Sequence, residues 1–303
     1  MRQAVSSSNP FLDEVVTHLI TAGGKRLRPA LTIAAAGAVQ GSSGTQTDLD
    51  SAVYSAAAAV ELTHLGSLHH DDVIDEAQQR RNVESVNARY GNAMAILSGD
   101  FLMARASGLV AELGGDVPQV LAQTITDLVM GQVLEWQDHA NTARTVESYE
   151  ASINGKTASL LAASTHLGAL TGGGNADQVE KLASFGRAFG MAFQIRDDIS
   201  DVTSTAEVMG KPVGNDLLEG TYSLPTIYAL QDNAVASELQ ALLNEDIDTQ
   251  GIEQACKLIQ HSNAIERAEQ RCAMWCQTAD ESLSNIANSK YTDALRELLA
   301  RVR

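Results

Sequence analysis

The feature that most constrains this fold is a succession of long helix-like stretches with almost no strand signal between them. Glycine and proline clusters separate predicted helices at 5–22, 29–40, 48–75, 91–113, 118–139, 156–171 and 176–201, with more helices over 222–303. The chain has 5 phenylalanines, 2 tryptophans and no sustained alternation of β-branched residues. The sequence therefore predicts an all-α fold, in which one domain (1–303) is a bundle of long antiparallel helices around a central cavity.

Two aspartate clusters of identical spacing lie within these helices. The first consists of Asp71, Asp72 and Asp75, and the second of Asp197, Asp198 and Asp201. On an α-helix, positions i, i+1 and i+4 fall within roughly 100°, so each cluster is expected to point three carboxylates the same way. Like charges about 4 Å apart repel by roughly 4 kcal/mol at an effective dielectric near 20, which favours a bound divalent cation. The alternative is a solvated acidic helix face, and the apolar neighbours Ile74 and Ile199 argue against it.

Composition limits the partners of this chain. Its net charge of −17 argues against nucleic acid, whose phosphates need clustered Lys and Arg. An acidic protein that handles phosphates is expected to do so through metal. No apolar run approaches the length of a membrane span, about 18 residues, and the first residues lack a signal-peptide pattern. The chain is therefore expected in the cytoplasm, and its 3 cysteines form no metal or disulfide framework by spacing.

Basic residues accompany the clusters in a consistent order. Lys25 and Arg28 lie in a turn bounded by glycine and proline at a helix start, where free N–H groups and the helix dipole favour anions such as phosphate. Arg80 and Arg81 follow the first cluster. His64 precedes Asp71 by about two helical turns and so shares its face. Each of these residues alone is more often a surface or core feature, but their order around two metal-type clusters indicates a phosphate site.

One connection differs from the others. Residues 203–221 contain Gly210-Lys211-Pro212, Gly214-Asn215-Asp216 and Gly220, which is too much turn chemistry for a helix. Long loops inside compact domains often serve as active-site lids, so Lys211 is a candidate site residue. A mobile surface loop is the alternative interpretation.

The chain closely resembles the trans-polyprenyl diphosphate synthases over nearly its full length. The resemblance rests on Gly24-Lys25-Arg26-Leu27-Arg28-Pro29, the first cluster with Arg80-Arg81, Gly155-Lys156-Thr157, Gln194 before the second cluster, and Gly210-Lys211 followed by Asn215-Asp216-Leu217. It implies the isoprenoid synthase fold, a homodimer, and about three magnesium ions between facing aspartate clusters. The implied reaction joins isopentenyl diphosphate to an allylic diphosphate, head to tail (1′-4), to make an all-trans polyprenyl diphosphate, with possible membrane contact during product release.

The resemblance also implies roles for single residues. The aspartates of both clusters would hold metal directly or through water, except that Asp198 would support the direct ligands without binding metal itself. Isopentenyl diphosphate would contact Lys25, Arg28, His64 and Arg81. The allylic diphosphate would contact Arg80, Lys156 and Lys211, while Thr157 and Gln194 would line the reacting carbons. The chain departs from its short-chain relatives at Gly220-Thr221, where they carry a second lid lysine, and this favours a longer product.

Product length is expected to depend on what blocks the growing tail beneath the first cluster. In the family, the residue five before the first aspartate forms the early floor, and here it is Gly66, flanked by the small residues Ser67 and Thr63. Each isoprene unit adds about one helical turn, about 5.4 Å, so an open floor predicts a product of about thirty to fifty carbons. Alternatively, a lower floor is formed by residues 101–103, or by Leu128 and Met130 on a facing helix.

Other classes of function fit less well. A geranylgeranyl or farnesyl diphosphate synthase differs only in product length. A class I terpene cyclase has a different second metal motif and needs no isopentenyl site. A regulatory subunit of a heteromeric synthase would have lost aspartates or basic residues, whereas both clusters are whole here. A metal phosphohydrolase built on His70-Asp71 lacks supporting histidines.

Overall fold

The computed structural model describes residues 1–41, 49–204, 213–243 and 247–303. The described chain is built of helices, and the prediction of an all-α fold is confirmed. They are α1 Pro10–Thr21, α2 Leu27–Gly41, α3 Ser51–Ile74, α4 Val86–Tyr90, α5 Asn92–Ala111, α6 Val117–Gln137, α7 Val146–Ile153, α8 Ser159–Thr171, α9 Ala176–Thr203, α10 Asn215–Leu218, α11 Leu224–Leu230, α12 Ala236–Leu242, α13 Thr249–His261, α14 Ala264–Leu283 and α15 Lys290–Ala300. A 3₁₀ turn, Gln3–Val5, precedes α1, and a π-helical turn, Asn154–Ala158, joins α7 to α8.

The helix starts follow ordinary capping chemistry. The Asn9 side chain accepts hydrogen bonds from the backbone N–H groups of Phe11 and Leu12 at the start of α1. Asp50 does the same for Ala52 at the start of α3. The helix predicted over 48–75 thus begins at Ser51, because Asp50 supplies the cap. The predicted cap, Asp48, lies outside the described residues.

Two compact units divide the chain. The first comprises 1–125, 160–183 and 285–295, and the second comprises 126–159, 184–284 and 296–303. In the first unit, fully buried leucines of α1, α2, α3 and α5 form the core, and Gly37 leaves room for the Tyr291 ring. In the second unit, Tyr149, Phe185 and Phe189 are fully buried aromatic residues. A single domain over 1–303 stays a prediction.

The first unit contains a short β-hairpin that the sequence pattern did not predict. Strand β1, Gln79–Arg80, pairs antiparallel with β2, Val83–Glu84. Arg81 (φ 55°) and Asn82 (φ 62°) both adopt the left-handed conformation between them. Positive φ at both central residues defines the tight turn typical of two-residue hairpins. The hairpin therefore projects Arg80 and Arg81 from a fixed backbone, although arginine seldom adopts this conformation.

The expectation that no apolar run approaches the length of a membrane span is wrong for α5. This helix is long and apolar enough to cross a bilayer by length and composition, and 33% of the apolar stretch is buried. One such helix is weak evidence for a membrane span, because core helices pass the same test.

Candidate active site

The first aspartate cluster lies at the end of α3 in the first unit. Asp71 is partly exposed and Asp75 is exposed, whereas Asp72 is fully buried at 0%. Asp72 Oδ1 accepts hydrogen bonds from Arg80 Nε at 2.7 Å and Nη2 at 2.6 Å. Burial raises the pKa of Asp72, while Arg80 opposes that shift. The three carboxylates therefore do not all point the same way, because the 100° step from i to i+1 turns Asp72 inward.

The second cluster, on α9 in the second unit, shows the same division. Asp197 is exposed, while Asp198 and Asp201 are buried. Asp198 Oδ2 accepts a hydrogen bond from the Tyr149 hydroxyl at 2.5 Å, and Oδ1 accepts one from Gln194 Nε2 at 2.8 Å. Burial raises the pKa of Asp198 to about 7. The middle aspartate of each cluster thus binds protein groups.

Asp201 of the second cluster binds the backbone of two residues that follow it in the chain, Gly214 and Asp216. Its backbone oxygen accepts a hydrogen bond from Gly214 N at 2.9 Å, and its Oδ2 accepts one from Asp216 N at 3.1 Å. Residues 215–218 form the short helix α10, so the predicted loop 203–221 is wrong there. Gly220, at φ +65°, lies against the His139 ring, 2.7 Å from where a β-carbon would stand. The candidate Lys211 lies outside the described residues.

The carboxylates of each cluster are of the oxygen type that a hard divalent cation takes as ligands. Among the described residues, no three His, Cys, Asp or Glu side chains are grouped so as to hold a metal ion. Magnesium is usually held by one or two carboxylates together with substrate phosphates and waters. Asp71, Asp75 and Asp197 reach solvent, and Asp72 Oδ2 is buried without a hydrogen bond from the described chain. Such oxygens suit a cation that arrives with a diphosphate.

A group of arginines surrounds the turn between α1 and α2 in the first unit. Arg26 Nη1 binds the buried Glu61 carboxylate at 2.6 Å, and Arg26 Nη2 donates to the Ile20 carbonyl at 2.6 Å. Arg81 Nη1 donates to the Gly23 carbonyl at 2.5 Å. A β-carbon at Gly24 would stand 2.9 Å from the Arg81 guanidinium carbon and would displace that group, and the positive φ of Gly24, +123°, also favours glycine.

Arg28 and His64 complete this cationic group, while Lys25 is exposed beside it. Arg28 Nε is buried and donates no hydrogen bond to the described residues, and burial lowers the pKa of Arg28 to about 10. Burial, followed by the positive charges of Arg28, Arg81, Arg80 and Arg26, holds the pKa of His64 well below its ordinary value. An excess of partly buried positive charge with an unmet donor is the signature of an anion site.

Lys156 and Thr157 sit on the π-helical turn of the second unit. A β-carbon at Gly131 of α6 would stand 2.2 Å from Lys156 N, and one at Gly155 would stand 2.6 Å from the Asp127 carbonyl. Two glycines therefore let α6 and the π-helical turn touch backbone to backbone. π-Helical turns inside α-helices are frequent at functional sites. Lys156 Nζ forms an ion pair with Glu135 of α6, and Thr157 Oγ1 donates to Gln194 Oε1 at 2.8 Å.

Glu135 and Tyr149 are site residues that the sequence reading missed. Both lie on helices other than those that carry the motifs, and each meets a motif residue only through tertiary packing. Tyr149 stands two turns before Lys156, which was the only local signal.

The candidate chain-length residues differ in accessibility. Gly66 is buried against α5: an added β-carbon would stand 3.0 Å from the Gly99 carbonyl oxygen and 3.0 Å from Met103 Cγ. Thr63 is also buried, and its hydroxyl donates to the Ala59 carbonyl at 3.0 Å. Ser67 is partly exposed on the face that carries Asp71. Gly66 therefore packs closely against α5, and its role in product length stays a prediction.

The all-α fold, the two aspartate clusters and the partly buried cationic group define a helical enzyme that acts on diphosphates. The chain belongs to the polyprenyl synthetase family, whose model matches residues 9–259, and it is a prenyltransferase.

The chain is similar to proteins of known function and to solved structures over almost its whole length. It is 37% identical over 301 residues to nonaprenyl diphosphate synthase of Mycobacterium tuberculosis, covering 99% of this chain and 88% of that protein. It is 38% identical to heptaprenyl diphosphate synthase component 2 of Geobacillus stearothermophilus, covering 98% and 91%. A solved polyprenyl synthase from Caulobacter crescentus, complexed with calcium and isoprenyl diphosphate, superposes with a TM-score of 0.91 at 31% identity, covering 99% and 91%.

Proposed function

We propose that this protein condenses isopentenyl diphosphate with an allylic diphosphate, head to tail (1′-4), and elongates the product to an all-trans polyprenyl diphosphate. The observation that carries this proposal lies within the first unit. Arg81 joins the cationic group around Arg28 and His64, while its neighbour Arg80 binds Asp72 of the carboxylate cluster. The hairpin turn thereby links an anion site to a metal-type site, as two diphosphate substrates require.

The first unit supplies the isopentenyl diphosphate site. Arg28, Arg81 and Lys25 bind the diphosphate, and the neutral His64 adds a hydrogen bond. Glu61 holds Arg26 and thus keeps that cation on the turn. Arg80, Lys156 and Lys211 contact the allylic diphosphate. Binding of that diphosphate would draw Lys156 from its carboxylate partner Glu135 to phosphate oxygens.

The aspartates of both clusters are proposed to hold about three magnesium ions together with the substrates. The relative complexed with calcium and isoprenyl diphosphate supports a divalent cation. When bound, magnesium supplies positive charge that stabilises the diphosphate as it leaves the allylic carbon. The Thr157 hydroxyl oxygen faces the developing carbocation while the Gln194 amide oxygen accepts the Thr157 hydroxyl hydrogen, and the released diphosphate takes the proton lost after the isopentenyl double bond attacks.

A medium or long chain is the proposed product. The relatives named nonaprenyl and heptaprenyl diphosphate synthases support a product of about thirty to fifty carbons, in which each unit adds about one helical turn of length, about 5.4 Å. Geranylgeranyl or farnesyl diphosphate is the alternative product.

A homodimer is the proposed assembly. On α6, Val129, Met130, Val133 and Trp136 are exposed at helical spacing, with Trp136 at 70%. On α5, Ile96 and Leu97 are also exposed. Large apolar side chains on one helix face are typical of subunit interfaces. We also propose that the protein acts in the cytoplasm and has no nucleic-acid partner. It would contact a membrane briefly when the product is released.

Product analysis tests this function. The purified protein is incubated with isopentenyl diphosphate, each allylic primer in turn and magnesium, with a chelator as control, and the products are sized. The proposal requires metal-dependent consumption of isopentenyl diphosphate. Diphosphate release with a cyclic hydrocarbon and no use of isopentenyl diphosphate would indicate a cyclase. Inactivity that a second chain restores would indicate a subunit of a heteromeric synthase.

A further inference from the structure

A chain of hydrogen bonds in the second unit ends at a residue that no motif contains. The Tyr149 hydroxyl of α7 donates to Asp198 Oδ2 at 2.5 Å. Asp198 Oδ1 accepts from Gln194 Nε2 at 2.8 Å, and Gln194 Oε1 accepts from Thr157 Oγ1 at 2.8 Å. The chain therefore runs from a buried tyrosine on α7 to the threonine of the π-helical turn.

The direction of each hydrogen bond follows from donor and acceptor chemistry. The two oxygens of the Asp198 carboxylate accept the Tyr149 hydroxyl hydrogen and a Gln194 amide hydrogen, so the Gln194 amide nitrogen lies on the Asp198 side. The Gln194 amide oxygen must then face Thr157 and accept its hydroxyl hydrogen. Because that hydrogen is used, Thr157 has oxygen lone pairs left for other partners. Rotating the Gln194 amide by half a turn would break this order.

The Tyr149 ring is itself held in place. Tyr149 is 1% exposed, and the Arg144 guanidinium lies over its ring, 5.5 Å from the centroid. Arg144 in turn donates to the Tyr222 carbonyl at 2.9 Å and to the Ser152 hydroxyl at 2.6 Å. A phenylalanine would fill the same volume beneath Arg144, so the hydroxyl is the part of Tyr149 that packing does not explain.

We propose that Tyr149 is a positioning residue, which fixes Asp198 and the Gln194 amide so that Thr157 turns its oxygen lone pairs toward the reacting allylic carbon. This rests on the proposed roles of Thr157 and Gln194. Because Tyr149 is buried, it would act through the two intervening side chains, Asp198 and Gln194. Lone pairs fixed before the reaction stabilise a developing positive charge without reorganisation.

The test compares two buried tyrosines of the second unit. Tyr149→Phe removes the first donor of the chain, and Tyr228→Phe is the matched control, since Arg267 also lies over the Tyr228 ring, 3.9 Å from its centroid. Tyr149→Phe is expected to lower kcat by about ten-fold to a hundred-fold with an unchanged KM for isopentenyl diphosphate. Tyr228→Phe is expected to leave kcat unchanged. An unchanged kcat in folded Tyr149→Phe, or equal losses in both variants, overturns the proposal.

A double-mutant cycle separates positioning from simple structural support. If Tyr149 acts through Thr157, then the kcat losses of Tyr149→Phe and Thr157→Val do not multiply in the double variant. Losses that multiply mean that the two residues act independently, and they overturn the proposal.

Should Tyr149→Phe not fold, the cycle of Asp198→Asn with Thr157→Val applies the same criterion to the inner part of the chain. The proposed function is tested separately, because wild-type protein that does not consume isopentenyl diphosphate contradicts that function, whereas an active wild type with multiplying losses contradicts only the role of Tyr149.

Discussion

Neighbouring residues on one helical turn have different tasks in this site. Asp71 and Asp197 reach solvent, whereas Asp72 and Asp198 turn inward and bind Arg80 and Tyr149. The spacing of the aspartates marked the clusters but did not show which carboxylate turns inward. That depends on which face of α3 and α9 is packed, and on partners contributed by the hairpin and α7.

Arg28 provides a residue-scale prediction about the isopentenyl diphosphate site. Arg28→Ala is expected to raise the KM for isopentenyl diphosphate more than that for the primer, because a lost charge-assisted contact to phosphate costs about 1.5–3 kcal/mol, about ten-fold to a hundred-fold. Arg89→Ala is the control, since Arg89 is exposed on α4. Steady-state kinetics with each substrate varied in turn measures both constants. A larger effect on the primer would mean that the two pockets are assigned the wrong way round.

Ser67 provides the residue-scale prediction about product length. It is partly exposed on the face of Asp71, whereas Gly66 packs against Gly99 and Met103. Ser67→Phe is therefore expected to shorten the product. Gly66→Phe is expected to destabilise the protein by overpacking, by roughly 1–3 kcal/mol. Chromatography of the dephosphorylated products and thermal unfolding measure the two effects. An unchanged product from active Ser67→Phe would show that the tail takes another path.

At the scale of elements, the π-helical turn was the least predictable part of the site. Gly155-Lys156-Thr157 indicated a helix start, yet the structure carries helix through this segment as a wider turn between α7 and α8. Long helices such as α3, α6 and α9 were predicted to within a few residues, because their glycine boundaries are local signals. The close contact between Gly131 and Lys156 is tertiary, and a sequence pattern does not reveal it.

Gly131 provides the element-scale prediction. Gly131→Ala places a β-carbon 2.2 Å from Lys156 N, so α6 and the π-helical turn must separate. We expect lower kcat and a loss of roughly 1–3 kcal/mol in the free energy of unfolding. Gly108→Ala in α5 is the control, since no atom lies within 4 Å of its added β-carbon. Equal activity and stability for both variants, measured by kinetics and urea unfolding, would contradict the described contact.

At the scale of the whole molecule, the exposed apolar side chains of α5 and α6 are the basis of the proposed homodimer. The sequence predicted helices, but which faces stay uncovered became visible only with tertiary packing. Leu97 on α5 is 59% exposed and Val129 on α6 is 56% exposed, in a chain whose net charge of −17 otherwise favours solubility.

The oligomeric state provides the whole-molecule prediction. Leu97→Glu combined with Val129→Glu is expected to convert a dimer to a monomer, because each charge would be buried without a partner. Met274→Glu is the control, since Met274 is an exposed apolar residue on α14. Sedimentation velocity compares the three proteins. A wild type that sediments as a monomer, or a double variant that remains dimeric, would contradict the proposed interface.

If both aspartate clusters are needed for a metal-dependent condensation, substitution of the solvent-accessible Asp71 or Asp197 should abolish turnover. Asp71→Asn and Asp197→Asn keep the side-chain shape but remove the charge, and Asp177→Asn, an exposed residue of α9, is the control. With saturating magnesium and both substrates, we expect each cluster variant to lose about a hundred-fold or more of kcat with unchanged helical content, while the control keeps wild-type turnover. Near-normal turnover in either cluster variant would contradict it.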